Sequence, residues 1–435
     1  MRSFFVGKSA HALELSHIHC LKRNGKVLLY EVCYRNGNTV LVSGVKSVKP
    51  VLAYNCSGDS VSFLHASDEN GLSYFVGKYA SGIESLVENH LDTIHPEWEG
   101  LLQGRLSPLR KTGVYGPYLT TRWKQTSSND GQANAYNYYV SSKCDRENRC
   151  AAGCVPVAMA QIMHYWKYPV SRSNRKETYD WSDMPDELRY YRNYSQQETN
   201  PDYEKERNAI ARLLADCGNA ANVIYCVSEC QSFAWPSDAR KARVGRFGYN
   251  SRATLMVRSM QASSWKDTIA SNIMAGKPVF YAAMNDGPTL EAHAFVCDGY
   301  DAGTDMFHFN WGWGGAGAWV SIDEINSGSD QWNNLERAIV NLSPGGSQAD
   351  AAFSHSGEAM KVWPNPVSGI LQVQLPGAEK GIAQLTVRNL LGQIVLQTDC
   401  LPLSGLDVSA LASGIYLLQL RTVDGAALSA RFVRE

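Results

Sequence analysis

The sequence predicts an α+β protein built from three regions. A β-hairpin followed by an amphipathic helix occupies the first hundred residues, and helices and strands mix through the middle of the chain. Short strands of alternating polarity, separated by turn residues, fill the C-terminal part. The chain has 435 residues, which is more than a single hydrophobic core usually serves. We therefore expect at least two domains.

The N-terminal region, residues 1–110, is predicted to be a small α+β unit. Apolar residues alternate on both sides of the turn Asn36-Gly37-Asn38, which predicts a hairpin over residues 27–43. Apolar residues then recur at helical spacing over residues 72–87, with Asp68 or Asn70 as the N-cap.

The segment between Pro96 and Gly116 loses this periodicity and contains Arg105, Arg110 and Lys111. Such a segment is typical of an exposed connection, and proteolytic processing favours exposed connections. We therefore expect a processing site there.

The middle region, residues 111–345, is predicted to contain a helix over 154–166, a second over 203–216, and strands over 277–283, 293–300 and 306–311. A polar linker, residues 346–359, follows Pro344-Gly345-Gly346. Residues 360–435 then show short alternating strands and the turn pair Asp424-Gly425, which predict a β-sandwich.

Composition and charge exclude several classes of protein. The formal net charge is −1, from 41 Lys and Arg against 42 Asp and Glu. This balance gives no electrostatic reason to expect a nucleic-acid partner. The sequence contains no apolar run of the length that a membrane span requires, and no legible N-terminal signal peptide.

Neither a metal site nor a cofactor site is expected. The eleven cysteines include no pair at zinc-ribbon spacing, and their odd number leaves at least one thiol unpaired if the others form disulfides. His17 and His19 lie just before Cys20, without an evident fourth ligand. Residues 312–317 match GxGxxG, but a strand follows where a dinucleotide site needs a helix.

Cys154 is the candidate nucleophile. The sequence Gly153-Cys154-Val155-Pro156 leads into an apolar helix, and proline suits the first turn of a helix. A cysteine at this position would experience the positive end of the helix dipole and free backbone N–H groups, which stabilise a thiolate and an oxyanion. A structural role as a small buried residue is an equal alternative from this segment alone.

His293 is the candidate general base. It lies on a predicted strand whose returning partner ends at Asn310 and Trp311. The amide of Asn310 could accept a hydrogen bond from the imidazole and fix its tautomer, as a Cys-His-Asn arrangement requires. His308 is a rival base, although a role in the core or at the surface fits it better.

These residues resemble the streptopain family of papain-like cysteine peptidases. The resemblance spans most of residues 117–343 and is carried by the motifs Ala152-Gly-Cys154-Val, Ala160-Gln-Ile-Met163, Tyr168-Pro169, His293-Ala-Phe-Val, Asp298-Gly299 and Asn310-Trp-Gly-Trp-Gly-Gly315.

The resemblance implies a papain-like fold with Cys154 and His293 as the catalytic pair. It also implies Gln125 in the oxyanion hole, with Asn310 and Trp311 orienting the imidazole. The N-terminal region resembles the inhibitory propeptide of this family, which implies a zymogen whose activity follows cleavage near residues 105–111.

The C-terminal region resembles the sorting domain of type IX-secreted Bacteroidetes proteins. The matching motifs are Val362-Trp-Pro-Asn-Pro-Val-Ser-Gly369, Asn389-Leu-Leu-Gly392, Asp407-Val-Ser, Ser413-Gly-Ile-Tyr416 and Arg431-Phe-Val-Arg434. The resemblance implies export through the periplasm and the outer membrane to the surface or the medium, with the type IX machinery as a partner. A carbohydrate-binding or adhesive sandwich is the alternative.

The expected function is hydrolysis of peptide bonds in proteins by a secreted cysteine endopeptidase. Two alternatives are kept: a surface adhesin on an inactive peptidase scaffold, and a Cys-His amidase or transglutaminase that shares the acyl-thioester chemistry.

Overall fold

The computed structural model describes residues 14–55, 61–65, 71–89, 93–102, 113–170, 177–228, 230–284, 292–315, 317–322, 336–345, 361–374, 382–389, 394–398, 405–422 and 427–435. The chain divides into two compact units, Met1–Gly345 and Gly346–Glu435. The division follows the predicted start of the C-terminal linker.

One large antiparallel sheet forms the centre of the first unit. Its strands follow the order β1-β2-β3-β4-β14-β13-β12-β11-β15-β10, and β5 pairs with β12 in addition. The bounds are β1 Leu15–Arg23, β2 Lys26–Tyr34, β3 Thr39–Ser43, β4 Val51–Asn55, β5 Val114–Tyr115, β10 Thr254–Val257, β11 Val279–Met284, β12 Ala292–Asp301, β13 Met306–Asn310, β14 Ala318–Val320 and β15 Arg337–Val340.

Six α-helices pack around this sheet in the described residues. They are α1 Gly71–Glu88, α2 Pro96–Leu102, α3 Cys154–Trp166, α4 Tyr203–Ala220, α5 Pro236–Gly245 and α6 Trp265–Met274. Helix α3 is apolar on almost every face, and ten of its thirteen residues are buried. A helix with this composition belongs inside a core, and α3 shares one hydrophobic cluster with β12, α4 and α5.

The N-terminal region is continuous with the rest of the first unit. Strand β4 pairs with β14, with Tyr54 opposite Trp319 and Ala53 opposite Val320. Apolar side chains of β2 to β4 and α1 join those of β11 to β14 and α6 in a single cluster. Two segments more than 200 residues apart in sequence thus share one sheet and one core.

Two short hairpins complete the first unit: β6 Tyr191–Asn193 with β7 Glu198–Thr199, and β8 Ile224–Ser228 with β9 Gln231–Phe233. Disulfides Cys144–Cys230 and Cys150–Cys226 join the second hairpin to the segment before α3. The five unpaired cysteines among the described residues are Cys20, Cys33, Cys154, Cys217 and Cys297.

The second unit consists of two antiparallel sheets around a common apolar core. One sheet has the order β16-β17-β20 and the other β19-β18-β21-β22. Leu371 and Leu406 of the first sheet and Leu385 and Phe432 of the second belong to the same cluster. The bounds are β16 Lys361–Trp363, β17 Ile370–Gln374, β18 Ile382–Asn389, β19 Ile394–Thr398, β20 Leu406–Asp407, β21 Gly414–Thr422 and β22 Ala427–Arg434.

The predicted α+β class is confirmed. The hairpin over residues 27–43 is β2 and β3, and the two predicted helices of the middle region are α3 and α4. The processing segment around Arg105 to Lys111 lies outside the described residues, as do Asp68 and Asn70. Among the helices that are described, none has the length and apolar character needed to cross a bilayer.

Candidate active site

Cys154 is the first residue of α3, in the setting that the sequence indicates. Gly153 precedes it with φ of 98°, a left-handed conformation that favours glycine. A Cβ on Gly153 would also lie 3.3 Å from the ring of Pro156. The backbone therefore turns sharply at Gly153 and presents Cys154 at the open N-terminal end of a buried helix.

The thiol of Cys154 is half-buried and faces strand β12. Burial raises the pKa of this thiol, while hydrogen bonds from the backbone N–H groups of Ala294 and Val155 act in the opposite direction. The contact with Ala294 brings the sulfur to the residue next to His293. In this state we expect a protonated thiol at neutral pH.

His293 lies at the start of β12, and its Nε2 atom faces the loop after β13. Nε2 is 2.8 Å from the carbonyl oxygen of Trp311 and 3.0 Å from the indole Nε1 of Trp313. The Trp313 ring stacks on the imidazole with 5.7 Å between the ring centroids. Burial lowers the pKa of His293 to about 4, against the opposing effect of the Trp311 carbonyl.

The two partners of Nε2 require different tautomers. A protonated Nε2 donates to the carbonyl of Trp311, whereas an unprotonated Nε2 accepts from the indole N–H of Trp313. The first tautomer leaves Nδ1 with a free lone pair, which is the form that a general base needs.

The Asn310 amide, which the sequence predicts to accept from the imidazole, has other partners in this structure. Its Oδ1 accepts from Gln161 Nε2 at 3.0 Å and from the N–H of Gly312 at 3.1 Å, and its Nδ2 donates to the carbonyl of Thr121 at 2.7 Å. The imidazole is bound by the Trp311 carbonyl instead. Asn310 is the last residue of β13, and its amide faces Gln161 of α3. The amide therefore holds the loop after β13 and does not bind the imidazole of His293.

Trp311 contributes to the site through its backbone. Its ring lies in an aromatic cluster with Phe295 and Phe309, at 5.1 Å and 5.4 Å between centroids. The indole N–H of Trp311 is buried and has no acceptor among the described residues. The ring therefore fixes the position of the carbonyl that meets His293.

Gln125 lies next to the segment that leads to the cysteine. Its carbonyl accepts from the N–H of Ala152 at 2.9 Å, and the residue is 7% exposed. Its side-chain amide forms no hydrogen bond with the parts of the chain that the structure describes. A buried amide without such a bond can donate to a bound ligand.

The segment before α3 is tied to the β8–β9 hairpin. Besides the two disulfides, the N–H of Ala151 donates to the carbonyl of Cys230 at 2.8 Å, and Ser232 Oγ donates to the carbonyl of Ala151 at 2.7 Å. These contacts fix the approach of the backbone to Cys154.

Two residues of the site were missed by the sequence reasoning. Trp313 stacks on His293, and Gln161 links α3 to Asn310 and to Thr121. Trp313 stood in the motif that carries the resemblance, two residues after Trp311. Gln161 falls seven residues after Cys154, which places both near one face of α3.

The geometry agrees with comparisons to known proteins. Residues 131–318 match the model of the peptidase C10 family. Streptopain from Streptococcus pyogenes is 26% identical over 369 residues, which cover 78% of this chain and 86% of that protein. The chain is a cysteine-type peptidase that is similar to the streptopain family.

Two further matches extend this result to the fold and to a second relative. The structure of a fragment of prointerpain A from Prevotella intermedia, in a cysteine-to-alanine variant, has a TM-score of 0.56 at 25% identity. The match covers 77% of this chain and all of that fragment. The thiol protease/hemagglutinin PrtT of Porphyromonas gingivalis is 31% identical over 182 residues, which are 38% of this chain and 19% of that protein. The peptidase therefore has a papain-like fold with a propeptide.

The second unit has its own match. Residues 361–434 match the secretion system C-terminal sorting domain. The peptidase is therefore secreted or displayed at the cell surface through type IX secretion.

Proposed function

We propose that the peptidase is an endopeptidase, made as a zymogen, that cleaves proteins through an acyl-enzyme on Cys154. The observation that carries the proposal is the contact of the Cys154 sulfur with the N–H of Ala294, next to His293. A nucleophile at a helix N-terminus with an imidazole beside it is the arrangement that thiol acylation requires.

In the proposed reaction His293 accepts the thiol proton at Nδ1 while Nε2–H remains bonded to the carbonyl of Trp311. The thiolate attacks the substrate carbonyl, and His293 then protonates the leaving amine. A water molecule activated by the same imidazole releases the acyl group. Asn310 and Trp311 act by holding the loop that carries this carbonyl.

The oxyanion of the tetrahedral intermediate is proposed to receive two hydrogen bonds. One comes from the side-chain amide of Gln125 and the other from the backbone N–H of Cys154. The hydrogen bond from the N–H of Ala152 to the Gln125 carbonyl supports this assignment, because it holds the segment around Gln125 beside the segment that leads to Cys154.

The N-terminal region, residues 1–110, is proposed to be the inhibitory propeptide. Its Phe75 ring lies 6.0 Å from that of Trp311 and 6.2 Å from that of Phe295, and Phe295 stacks on His293 at 5.7 Å between centroids. A segment this close to the imidazole can influence its position and its exposure.

The proposed domain plan has three functional parts and a linker. The propeptide precedes a peptidase domain of residues 111–345, a linker of residues 346–359, and a sorting domain of residues 360–435 that is recognised by the type IX machinery. Activity then follows cleavage near residues 105–111, and the substrates are proteins and peptides.

The proposal is tested by labelling with a thiol-directed epoxide inhibitor, followed by peptide mass mapping of the processed enzyme. We expect one label, on Cys154, and its loss in a His293→Ala variant that an added protease has cut to the same length, because the thiol is then no longer deprotonated by a neighbouring base. The buried Cys217 and Cys297 serve as internal controls. An unlabelled Cys154 in correctly folded, processed protein would favour an adhesin on an inactive scaffold.

A further inference from the structure

Three imidazoles form a group on the outer hairpin of the N-terminal region. His17 and His19 are two residues apart on β1, so both side chains project from the same face of the strand. Folding brings His65 against His19. The ring centroids of His17 and His19 are 4.6 Å apart, and those of His19 and His65 are 5.2 Å apart.

These two separations match those between neighbouring histidine ligands of one metal ion. With Zn–N bonds of about 2.0–2.1 Å and tetrahedral angles, the ring centroids of two histidine ligands lie about 5 Å apart. The nitrogen atoms of the three residues do not converge on one point in this structure, but all three side chains are exposed and can rotate toward a common ion.

The buried carboxylate of Glu31 lies near the ring of His65. His65 Nδ1 is 3.1 Å from Ser62 Oγ and 3.9 Å from Glu31 Oε2. Glu31 is opposite His19 in the β1–β2 register and accepts from the N–H of Phe63 at 2.5 Å. A carboxylate near the second ring nitrogen orients a metal-binding histidine and raises its basicity. Nε2 of His65 is thus the atom left for an ion.

The hydrogen bonds of the other two rings leave Nε2 available as well. His17 Nδ1 is 3.0 Å from Ser16 Oγ. Within the described ranges of the chain, Nε2 of His17, His19 and His65 has no protein partner. Three ring nitrogens without protein partners, on one exposed surface, are therefore available to bind an ion once the side chains rotate toward it.

We propose that His17, His19 and His65 bind one Zn²⁺ ion, with water as the fourth ligand. Imidazole ligands select Zn²⁺ and similar transition metals over Mg²⁺ and Ca²⁺, which prefer oxygen. Because the ligands come from the edge strand β1 and from the segment after β4, the ion cross-links two parts of the N-terminal region. The proposal is independent of the chemistry at Cys154.

The test is a calorimetric titration of ZnCl₂ into the untagged full-length chain, in a Cys154→Ala background that keeps the chain intact. We expect one ion per chain and a rise in Tm on addition of Zn²⁺. The His17→Ala/His19→Ala double variant should lose both effects, and His65→Ala should weaken binding by at least about 10-fold. Co²⁺ should give the visible spectrum of a tetrahedral site in the parent alone.

The control is His95→Ala, which changes a histidine of the same region outside the group and should leave the titration unchanged. All the substituted ligands are exposed, so the variants should match the parent in Tm without metal. The proposal is overturned if the parent binds no Zn²⁺ at 100 µM, a limit of about 5 kcal/mol in binding free energy. It is also overturned if the His17→Ala/His19→Ala variant binds Zn²⁺ as tightly as the parent. Zn²⁺ binding by that variant that is lost when Cys20 and Cys33 are alkylated would likewise overturn it.

Discussion

The imidazole of His293 has two competing partners, and in the proposed mechanism the competition determines which nitrogen is available as the base. The Trp311 carbonyl stabilises a protonated Nε2, whereas the indole N–H of Trp313 stabilises an unprotonated one. The stacked ring of Trp313 contributes in a different way, because it covers one face of the imidazole. These two contributions of Trp313 can be separated by substitution.

We predict that Trp313→Phe retains kcat within about threefold, because it keeps the stacked ring and removes only the competing N–H. Trp313→Ala should lower kcat about 10-fold, since an aromatic pair contributes about 0.5–1.5 kcal/mol. Steady-state kinetics on a peptide substrate with both variants checks this. Equal impairment of the two variants would show that the N–H, and not the ring, is what the site requires.

The buried His164 and the half-buried His293 should make the stability of the intact chain depend on pH. Burial lowers the pKa of His293 to about 4, and burial together with the charge of Lys167 lowers that of His164 to about 4. An unfolded histidine titrates near about 6.5. The unfolded chain therefore binds more protons between these values, and the free energy of unfolding should fall as the pH decreases from about 6.5 toward 4.

Urea denaturation of the Cys154→Ala chain from pH 8 to pH 5 measures this dependence. The His164→Gln and His293→Gln variants should each show a shallower decline below about pH 6.5 than the parent. Above pH 7 the difference between variant and parent should not change with pH. Parallel curves over the whole range would contradict this explanation.

At the scale of elements, the segment before α3 is held by bonds from distant parts of the chain. Cys150–Cys226 and Cys144–Cys230 close loops of 76 and 86 residues. Both join the β8–β9 hairpin to the backbone that leads into Cys154. The position of the nucleophile thus depends on a hairpin more than 70 residues away in sequence.

We predict that Cys150→Ala/Cys226→Ala lowers the free energy of unfolding by about 2–4 kcal/mol, because a long loop is no longer constrained in the unfolded chain. The variant should also have a lower kcat, because the backbone before Cys154 loses one of its two disulfide links to the β8–β9 hairpin. Urea denaturation and peptide kinetics measure the two effects. Cys217→Ala, which removes an unpaired buried thiol, is the control; an equal loss in the control would rule out the disulfide as the cause.

The elements themselves were largely predictable, and their assembly was not. Periodicity predicts the hairpin of β2 and β3 and the helices α1, α3 and α4. The predicted bounds lie within a few residues of the observed ones. The pairing of β4 with β14 joins segments that are distant in sequence, and no local pattern encodes it. The same limit hid the contact of His65 with His19.

The proximity of Cys154 and His293, the proposed catalytic pair, was predictable, and the contacts that support them were only partly so. Gly153 and Pro156 mark the start of a helix from local chemistry, so Cys154 could be placed at its N-terminus. Asn310 was placed near the imidazole by the hairpin, but its amide turns to Gln161 and Thr121. Side-chain orientation at the end of a strand depends on tertiary neighbours, and a local sequence pattern does not reveal which residues these are.

At the scale of the whole molecule, a buried ion cluster fastens the N-terminal region to the peptidase domain. Lys78 of α1 donates to Glu336 at 2.9 Å, and Arg258 also pairs with this carboxylate. Burial alone would raise the pKa of Glu336, but the two cations lower it to about 2. Tyr74 of the same helix donates to Glu336 at 3.2 Å.

We predict that Lys78→Met weakens this attachment and accelerates processing of the precursor severalfold. Removing one member of a buried ion cluster costs about 3–5 kcal/mol because the remaining charges lose a partner. A time course of precursor mass on secretion measures the rate.

The matched control is Arg23→Met, which removes the solvent-exposed pair of Arg23 with Glu84 in the same region. Pairs of this kind contribute about 0–1 kcal/mol, so the control should be processed like the parent. Identical processing rates for Lys78→Met and the parent would show that the cluster does not hold the propeptide.

The central claim, catalysis by Cys154, is tested most directly by casein hydrolysis with the secreted protein and its Cys154→Ala variant, with Cys217→Ala as control. We predict that Cys154→Ala lowers hydrolysis by at least about 1,000-fold and leaves the precursor at full mass, while Cys217→Ala behaves as the parent. Casein hydrolysis and normal processing by a folded Cys154→Ala protein would contradict the claim.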